Sequence, residues 1–95
     1  MSIYRDFCRE GFDAQGRLNQ FQIHYPKSFN FGYDVVDRIA MVEPEKRALV
    51  WCNMEGEEHI FTFRDMKRLS DRAANVFLQA GIRKGDRLMV ILKRH

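Results

Sequence analysis

FTFRDMKRLSDRAANVFLQAGIRKGDRLMVIL, Phe61 to Leu92, decides how this chain reads. Thr62 and Asp65 fit a Thr-x-x-acid arrangement, in which the hydroxyl caps a helix and the carboxylate complements the positive end of its dipole. Behind them Met66, Leu69, Ala73, Val76, Phe77 and Ala80 recur at spacings of three and four, the mark of an amphipathic helix. Gly81 suits the left-handed residue that ends such a helix, with Ile82 folding back over the final turn. After the turn Arg83-Lys84-Gly85-Asp86, the run Leu88-Met89-Val90-Ile91-Leu92 shows no alternation and predicts a strand covered on both faces. One helix supplies one covering layer. The second falls to the N-terminal arm, to another subunit or to further sequence. In α/β sheets the chemistry sits on loops that follow such strands, so this stretch is expected to reveal kinship more than activity.

Upstream, Ala48-Leu49-Val50-Trp51-Cys52 and His59-Ile60-Phe61-Thr62-Phe63 flank the polar Glu55-Gly56-Glu57-Glu58, a β-hairpin signal with Gly56 in the turn. A helix is expected to start at Asp34 as its cap and to run through Val35, Val36, Ile39, Ala40 and Val42 until Pro44. Residues 13–31 are punctuated by Gly16, Asn19, Pro26, Ser28 and Asn30 and have no clean period, which reads as an extended arm. Its rings, Phe21, Tyr25, Phe29 and Phe31, are expected to staple it to the body of its own protein. Ser2 to Phe12 has helix-like apolar intervals, with Ser2 as N-cap. The expected fold class is α/β, as an α+β fragment and an incomplete part of a larger α/β domain. Residues 1–33 supply an N-terminal helix and irregular arm, and residues 34–95 supply helix, hairpin, amphipathic helix and buried strand.

A chain of 95 residues bounds this to one domain or part of one. The net charge of +3 is too slight to imply nucleic acid, and no aromatic residue sits among Arg83, Lys84 and Arg87 or Lys93, Arg94 and His95 to stack a base. No apolar run exceeds five residues, against the ~20 of a membrane span. Cys8 and Cys52 lack CxxC spacing, and Arg5, Asp6, Arg9 and Glu10 do not read as a secretory signal. Reduced thiols in a cytoplasm are therefore expected, with neither nucleic acid nor membrane as a partner.

Ser2, Ser28, Ser70, Thr62, Cys8 and Cys52 are the nucleophile types present, and His24, His59 and His95 the bases, but none stands in a nucleophile elbow or a Cys/His context. No His or Cys pair has metal-ligand spacing, and Glu55, Glu57 and Glu58 crowd a hairpin tip. GIRKG, Gly81 to Gly85, lacks the order of a phosphate loop and precedes a strand, where a phosphate cradle precedes a helix. No catalytic, cofactor-binding or metal-binding residue is named on these grounds.

FTFRDMKRLSDRAANVF at Phe61 to Phe77, with GIRKGDRLMVIL at Gly81 to Leu92, resembles the beginning of the AMP-forming acyl-CoA synthetases, within the adenylate-forming superfamily. FTFRDM looks like that superfamily's first core motif, L-[TS]-Y-x-E-L, with Phe61, Phe63, Asp65 and Met66 as conservative departures. FNFGYDVVDRIA, Phe29 to Ala40, and KRALVWCNMEGEE, Lys46 to Glu58, turn the resemblance toward the branch that handles acetate-like to medium-chain acids.

The resemblance implies a ligase of fatty acid metabolism. In it, a carboxylic acid and ATP give an acyl-adenylate and pyrophosphate, and coenzyme A then displaces AMP. It also implies that the parent uses ATP, magnesium and coenzyme A through residues downstream, so that this segment alone binds none of them and is inactive. The remainder of the synthetase chain is the expected partner. The alternative reading is a stand-alone ββαβ interaction module that acts by strand pairing or self-association.

Overall fold

Thr62 ends one element and starts the next, and the fold is best followed outward from it. The computed structural model describes residues 3–93. In chain order these form α1 (Tyr4–Phe7), β1 (Cys8–Phe12), β2 (Leu18–Ile23), a π-helical segment (Gly32–Asp37) that runs into α2 (Arg38–Val42), β3 (Arg47–Cys52), β4 (Glu58–Thr62) and α3 (Phe63–Gln79). The strands make two separate antiparallel pairs, β1 with β2 and β3 with β4. Helices with two hairpins give the mixed α/β segment expected from the sequence.

The β3–β4 hairpin follows its sequence signal closely. Trp51 pairs with His59 and Val50 with Ile60 across the strands, and Gly56 takes φ +82° in the turn. Asn53 braces that turn: its side chain accepts from the Glu57 N–H at 2.9 Å and donates to the Glu57 carboxylate at 2.6 Å. α3 runs through the residues the apolar period marked from Met66 to Phe77, and the last of them, Ala80, is its C-cap residue. At its end the Gly81 N–H reaches the Leu78 carbonyl and the Ile82 N–H reaches the Phe77 carbonyl, each at 3.0 Å, with Gly81 at φ +85°. This pair of bonds is the Schellman ending.

The N-terminal third departs from the sequence reading. The expected helix over Ser2 to Phe12 is only one turn, Tyr4–Phe7, and Cys8–Phe12 is a strand; Ser2, the expected cap, lies outside the described residues. A helix of that length is marginal by itself, whereas pairing with Leu18–Ile23 satisfies the backbone of both segments. The turn between them is held by Asp13, whose carboxylate accepts from the N–H groups of Gln15 and Arg17, each at 2.9 Å. The supposed arm therefore contains half of a hairpin. Its rings do not act as the expected staples to the body: Phe29 meets Phe7 edge-on at 5.2 Å and Tyr25 at 6.5 Å between ring centroids, both within the N-terminal segment, and Phe21, Tyr25 and Phe31 are more than half exposed.

The second helical stretch starts at Gly32, two residues before the expected cap. Asp34 lies inside its first turn and reaches back to the Asn30 N–H at 2.7 Å, while the Asn30 side chain accepts from the Tyr33 N–H at 3.3 Å. Asn30 does the capping that the sequence reading gave to Asp34.

Ile39 and Ala40 are the only buried hydrophobic residues among the described ones, at 7% and 9% exposure. They sit where α2 meets α3. No residue of α3 is buried. Leu88–Leu92 is the main correction. It forms no strand, and Met89 and Ile91 are each 85% exposed. A strand buried on both faces needs two covering layers and neighbouring strands, and the described residues provide neither.

The radius of gyration is 17.8 Å, with extents of 54 × 41 × 29 Å, whereas a compact domain of this length has about 12 to 13 Å. The accessible surface is 8792 Å², against about 5,700 Å² for a folded monomer of 11.3 kDa.

Replacing the cap tests the junction. Thr62→Ala is expected to lower stability by about 1 kcal/mol in urea unfolding followed by helix circular dichroism, and Thr62→Ser to retain most of it. Gly81→Ala, with open space around the new methyl but a left-handed backbone, is expected to cost about 1 kcal/mol. Equal midpoints for all four chains would contradict this account of both helix ends.

Candidate functional site

A helix N-terminus leaves four backbone donors without intrahelical partners, and these free donors are what bind phosphate in many nucleotide sites. At α3 all four are taken by the protein. The Thr62 N–H donates to the Asp65 carboxylate at 3.0 Å, and the Phe63 and Arg64 N–H groups donate to the carbonyls of Lys46 and Pro44 at 2.9 and 3.1 Å. The Asp65 N–H donates to the Thr62 hydroxyl oxygen at 3.2 Å. The Thr62 hydroxyl in turn donates to the Asp65 carboxylate at 2.9 Å. These bonds, led by that from the Thr62 N–H, hold the Asp65 carboxyl below the usual carboxylate range, with weaker help from Arg68 and Arg64.

A negative charge already occupies the helix end, so the residues here do not fit a nucleotide phosphate. Among the described residues there is also no group of three or more His, Cys, Asp or Glu that could hold a metal ion.

Beside this junction lies a groove of about 360 Å³, floored by Ile60, Phe61 and Leu69 and walled by Arg68 and Arg72. On another side of α3, Lys67 sits between two carboxylates, 2.7 Å from Asp71 and 3.7 Å from Asp37. Its hydrogen bond to Asp71, and then the charge of Asp37, raise its pKa above the ordinary lysine value. The Asp71 pair is readable at i,i+4; the Asp37 contact, which ties α3 to the π-helical segment, depends on the fold. Asp65 also lines the groove, so its walls are apolar, cationic and acidic, but that carboxylate is engaged by the Thr62 N–H and hydroxyl.

The residue types that could do chemistry are dispersed. Thr62 is used as the cap. Ser70 lies on an exposed turn of α3 and Ser28 on an exposed loop. Cys8 is half-buried and Cys52 exposed, both as free thiols. His59 stacks on Trp51 at 5.3 Å, and the His24 backbone bonds to the Phe7 carbonyl at 2.7 Å. Ser2 and His95 lie outside the described residues.

Of the basic groups, Arg83 has a structural task that the sequence reading missed. Its guanidinium donates to the carbonyls of Leu78 and Ile82, each at 3.0 Å, at the negative end of α3. A cation two residues beyond a C-terminal glycine was the available signal. Arg94 and His95 fall outside the described residues.

The end of β4 caps an amphipathic helix, and the described residues bring no free helix N-terminus to this junction for a phosphate. Residues 36–95 match the family model of AMP-binding enzymes, and the chain belongs to that family. It is 42% identical over 89 residues to the human mitochondrial acyl-coenzyme A synthetase ACSM4, which covers 87% of this chain and 15% of the relative. The rat ACSM4 enzyme is 39% identical over 98 residues, covering 97% of this chain and 16% of the relative. The mouse ACSM1 enzyme is 41% identical over 75 residues, covering 73% and 13%.

The chain thus spans about one-sixth of the length of these curated relatives and corresponds to the N-terminal portion of an AMP-forming acyl-CoA synthetase. The stand-alone ββαβ module finds no support in these comparisons. The expectation of a cytoplasmic chain is corrected, because all three relatives are named mitochondrial. Lone reduced cysteines report a reducing environment and do not distinguish one such compartment from another.

The depressed Asp65 pKa gives a pH test. Its stabilisation is present above the unfolded carboxylate value of about 4 and is lost as the pH falls through the lower folded value. Acid titration of α3 helicity should show that loss in the parent chain and a flatter profile in Asp65→Asn. Superimposable profiles would remove Asp65 from the account.

Proposed function

We propose that this chain is the structural opening of a mitochondrial acid–thiol ligase acting in fatty acid metabolism, in the branch that takes acetate-like to medium-chain acids. The parent reaction joins a carboxylate to ATP as acyl-adenylate with loss of pyrophosphate; coenzyme A then takes the acyl group and releases AMP. ATP, magnesium and coenzyme A are held elsewhere in that polypeptide. The segment contributes the β3–β4 hairpin and α3 as a preformed support, with residues 1–95 as one structural unit of the enzyme. The observation that carries this reading is the coincidence of the family match over residues 36–95 with the capped β4–α3 junction. Support also comes from the relatives, which are acyl-coenzyme A synthetases by name.

The test is a replacement in which these 95 residues take the place of the matching segment of the human relative. The chimera is expected to release AMP and form acyl-CoA from a medium-chain acid, while the 95-residue chain alone releases none. A folded but inactive chimera, or turnover by the short chain, would overturn the proposal.

A further inference from the structure

The chain has five lysines, Lys27, Lys46, Lys67, Lys84 and Lys93, and the fold treats them unequally. Lys46 is held by Glu43 at 3.0 Å, and Lys67 lies between Asp71 at 2.7 Å and Asp37 at 3.7 Å. The carboxylates beside Lys67 favour its charged ammonium and raise its pKa. Lys84 is placed differently. It occupies the outer corner of the turn 83–86, where the Asp86 N–H donates to the Arg83 carbonyl at 3.0 Å and Gly85 takes φ +96°, the pattern of a type II β-turn. The nearest carboxylate in sequence is already in use, because the Asp86 side chain accepts from the Arg83 N–H at 2.6 Å. Lys84 is exposed, and its side chain has no hydrogen bond or ion pair with another described residue.

The surroundings of Lys84 are cationic. Arg83 and Arg87 flank it, and residues 83–87 hold three cations against one carboxylate, a net charge of +2. Lys27 is also exposed, but no arginine or lysine lies within five residues of it, and Lys93 adjoins one arginine, Arg94. A lysine attacks a carbonyl as the free amine. A carboxylate held against the ammonium suppresses that form, whereas clustered cations raise the local concentration of an anionic reagent.

We propose that Lys84 is a site of covalent acylation, and that its reagent is a phosphate-bearing acyl thioester, the class to which acyl-CoA belongs. The Lys84 Nζ, as the free amine, attacks the thioester carbonyl carbon. The C–S bond breaks, and the departing thiolate takes up the proton that the nitrogen sheds, which leaves an amide at Lys84 and a free thiol. Arg83 and Arg87 attract the phosphates, while no carboxylate ties down the amine. Acylation removes one charge and brings residues 83–87 to +1, so the turn recruits a second molecule less well. The ion pairs of Lys46 and Lys67 spare those lysines. The site rests on the synthetase reading above for the source of its thioester; its selectivity depends on the turn alone.

In the experiment, the 95-residue chain is incubated at mildly alkaline pH with acetyl-coenzyme A. In parallel it is incubated with the acetyl thioester of N-acetylcysteamine, which carries no phosphate, and peptide mass spectrometry gives the rate at each lysine. With acetyl-coenzyme A, Lys84 is expected to react fastest of the five, about 10-fold ahead of Lys46 and Lys67 and about 3-fold ahead of Lys27. With the phosphate-free thioester the lead over Lys27 is expected to vanish, while Lys67 stays slow. Arg87→Gln is expected to lower the Lys84 rate with acetyl-coenzyme A about 2-fold and to leave the Lys27 rate unchanged.

Equal rates at Lys84 and Lys67, or a Lys84 lead that persists in full with the phosphate-free thioester or in Arg87→Gln, would overturn the proposal. Acylation in the expected order together with a folded but inactive chimera would overturn the synthetase reading and leave the site standing. An active chimera whose Lys84 reacts no faster than its Lys67 would do the reverse.

Discussion

The four backbone donors at the start of α3 are the point on which the rest of this structure depends. Thr62 and Asp65 satisfy two of them reciprocally, and the carbonyls of Lys46 and Pro44 take the other two. One helix end therefore joins three pieces of chain: the loop after α2, the end of β4 and the helix itself. The arrangement fixes the residue at which extended backbone becomes helical, and so the direction in which α3 leaves the hairpin. It also fixes what this end does not do. A helix N-terminus with its donors engaged and a carboxylate in place has nothing left for a phosphate.

Packing around this junction is thin. Among the described residues, only Ile39 and Ala40 of α2 are buried hydrophobics, and Lys67 adds a polar tie to Asp37 and Asp71. The Asp71 pair is exposed and contributes little by itself in water, whereas the Asp37 side chain is only 17% exposed. Local hydrogen bonding, in the capping box, the Asn53 turn and the Schellman ending, therefore defines more of the shape than a hydrophobic core does. A chain with 45% hydrophobic residues therefore exposes many of them among the described residues.

The elements legible in the sequence are those whose signals are local. Thr62, Asp65, Gly56 and Gly81 act within a few residues of their own positions, and the hairpin and α3 match the sequence reading accordingly. Leu88–Leu92 read as a covered strand from its unbroken apolar run, but such a strand needs neighbouring strands and two covering layers, which the described residues do not provide. The β1–β2 hairpin was missed: the spacing of Ile3, Tyr4, Phe7 and Cys8 suits a helix, and only the Asp13 turn, ending at Gly16, signals a return. The capping role of Asn30 was missed because Asp34 offered a better-known cap two residues inside the true start. At the candidate site, the absence of a recognised motif gave no warning of the Arg83 bonds to the Leu78 and Ile82 carbonyls, nor of the contact between Lys67 and Asp37.

An open segment with one secured hairpin-helix unit and a large uncovered surface makes a definite statement about size. Small-angle X-ray scattering of the 95-residue chain at low concentration tests it most directly. A radius of gyration near the 17.8 Å of the Cα trace is the result this account predicts. A value of about 12 to 13 Å, that of a compact domain of this length, would contradict it, since the apolar faces of α3 and Leu88–Leu92 would then be covered by the chain itself.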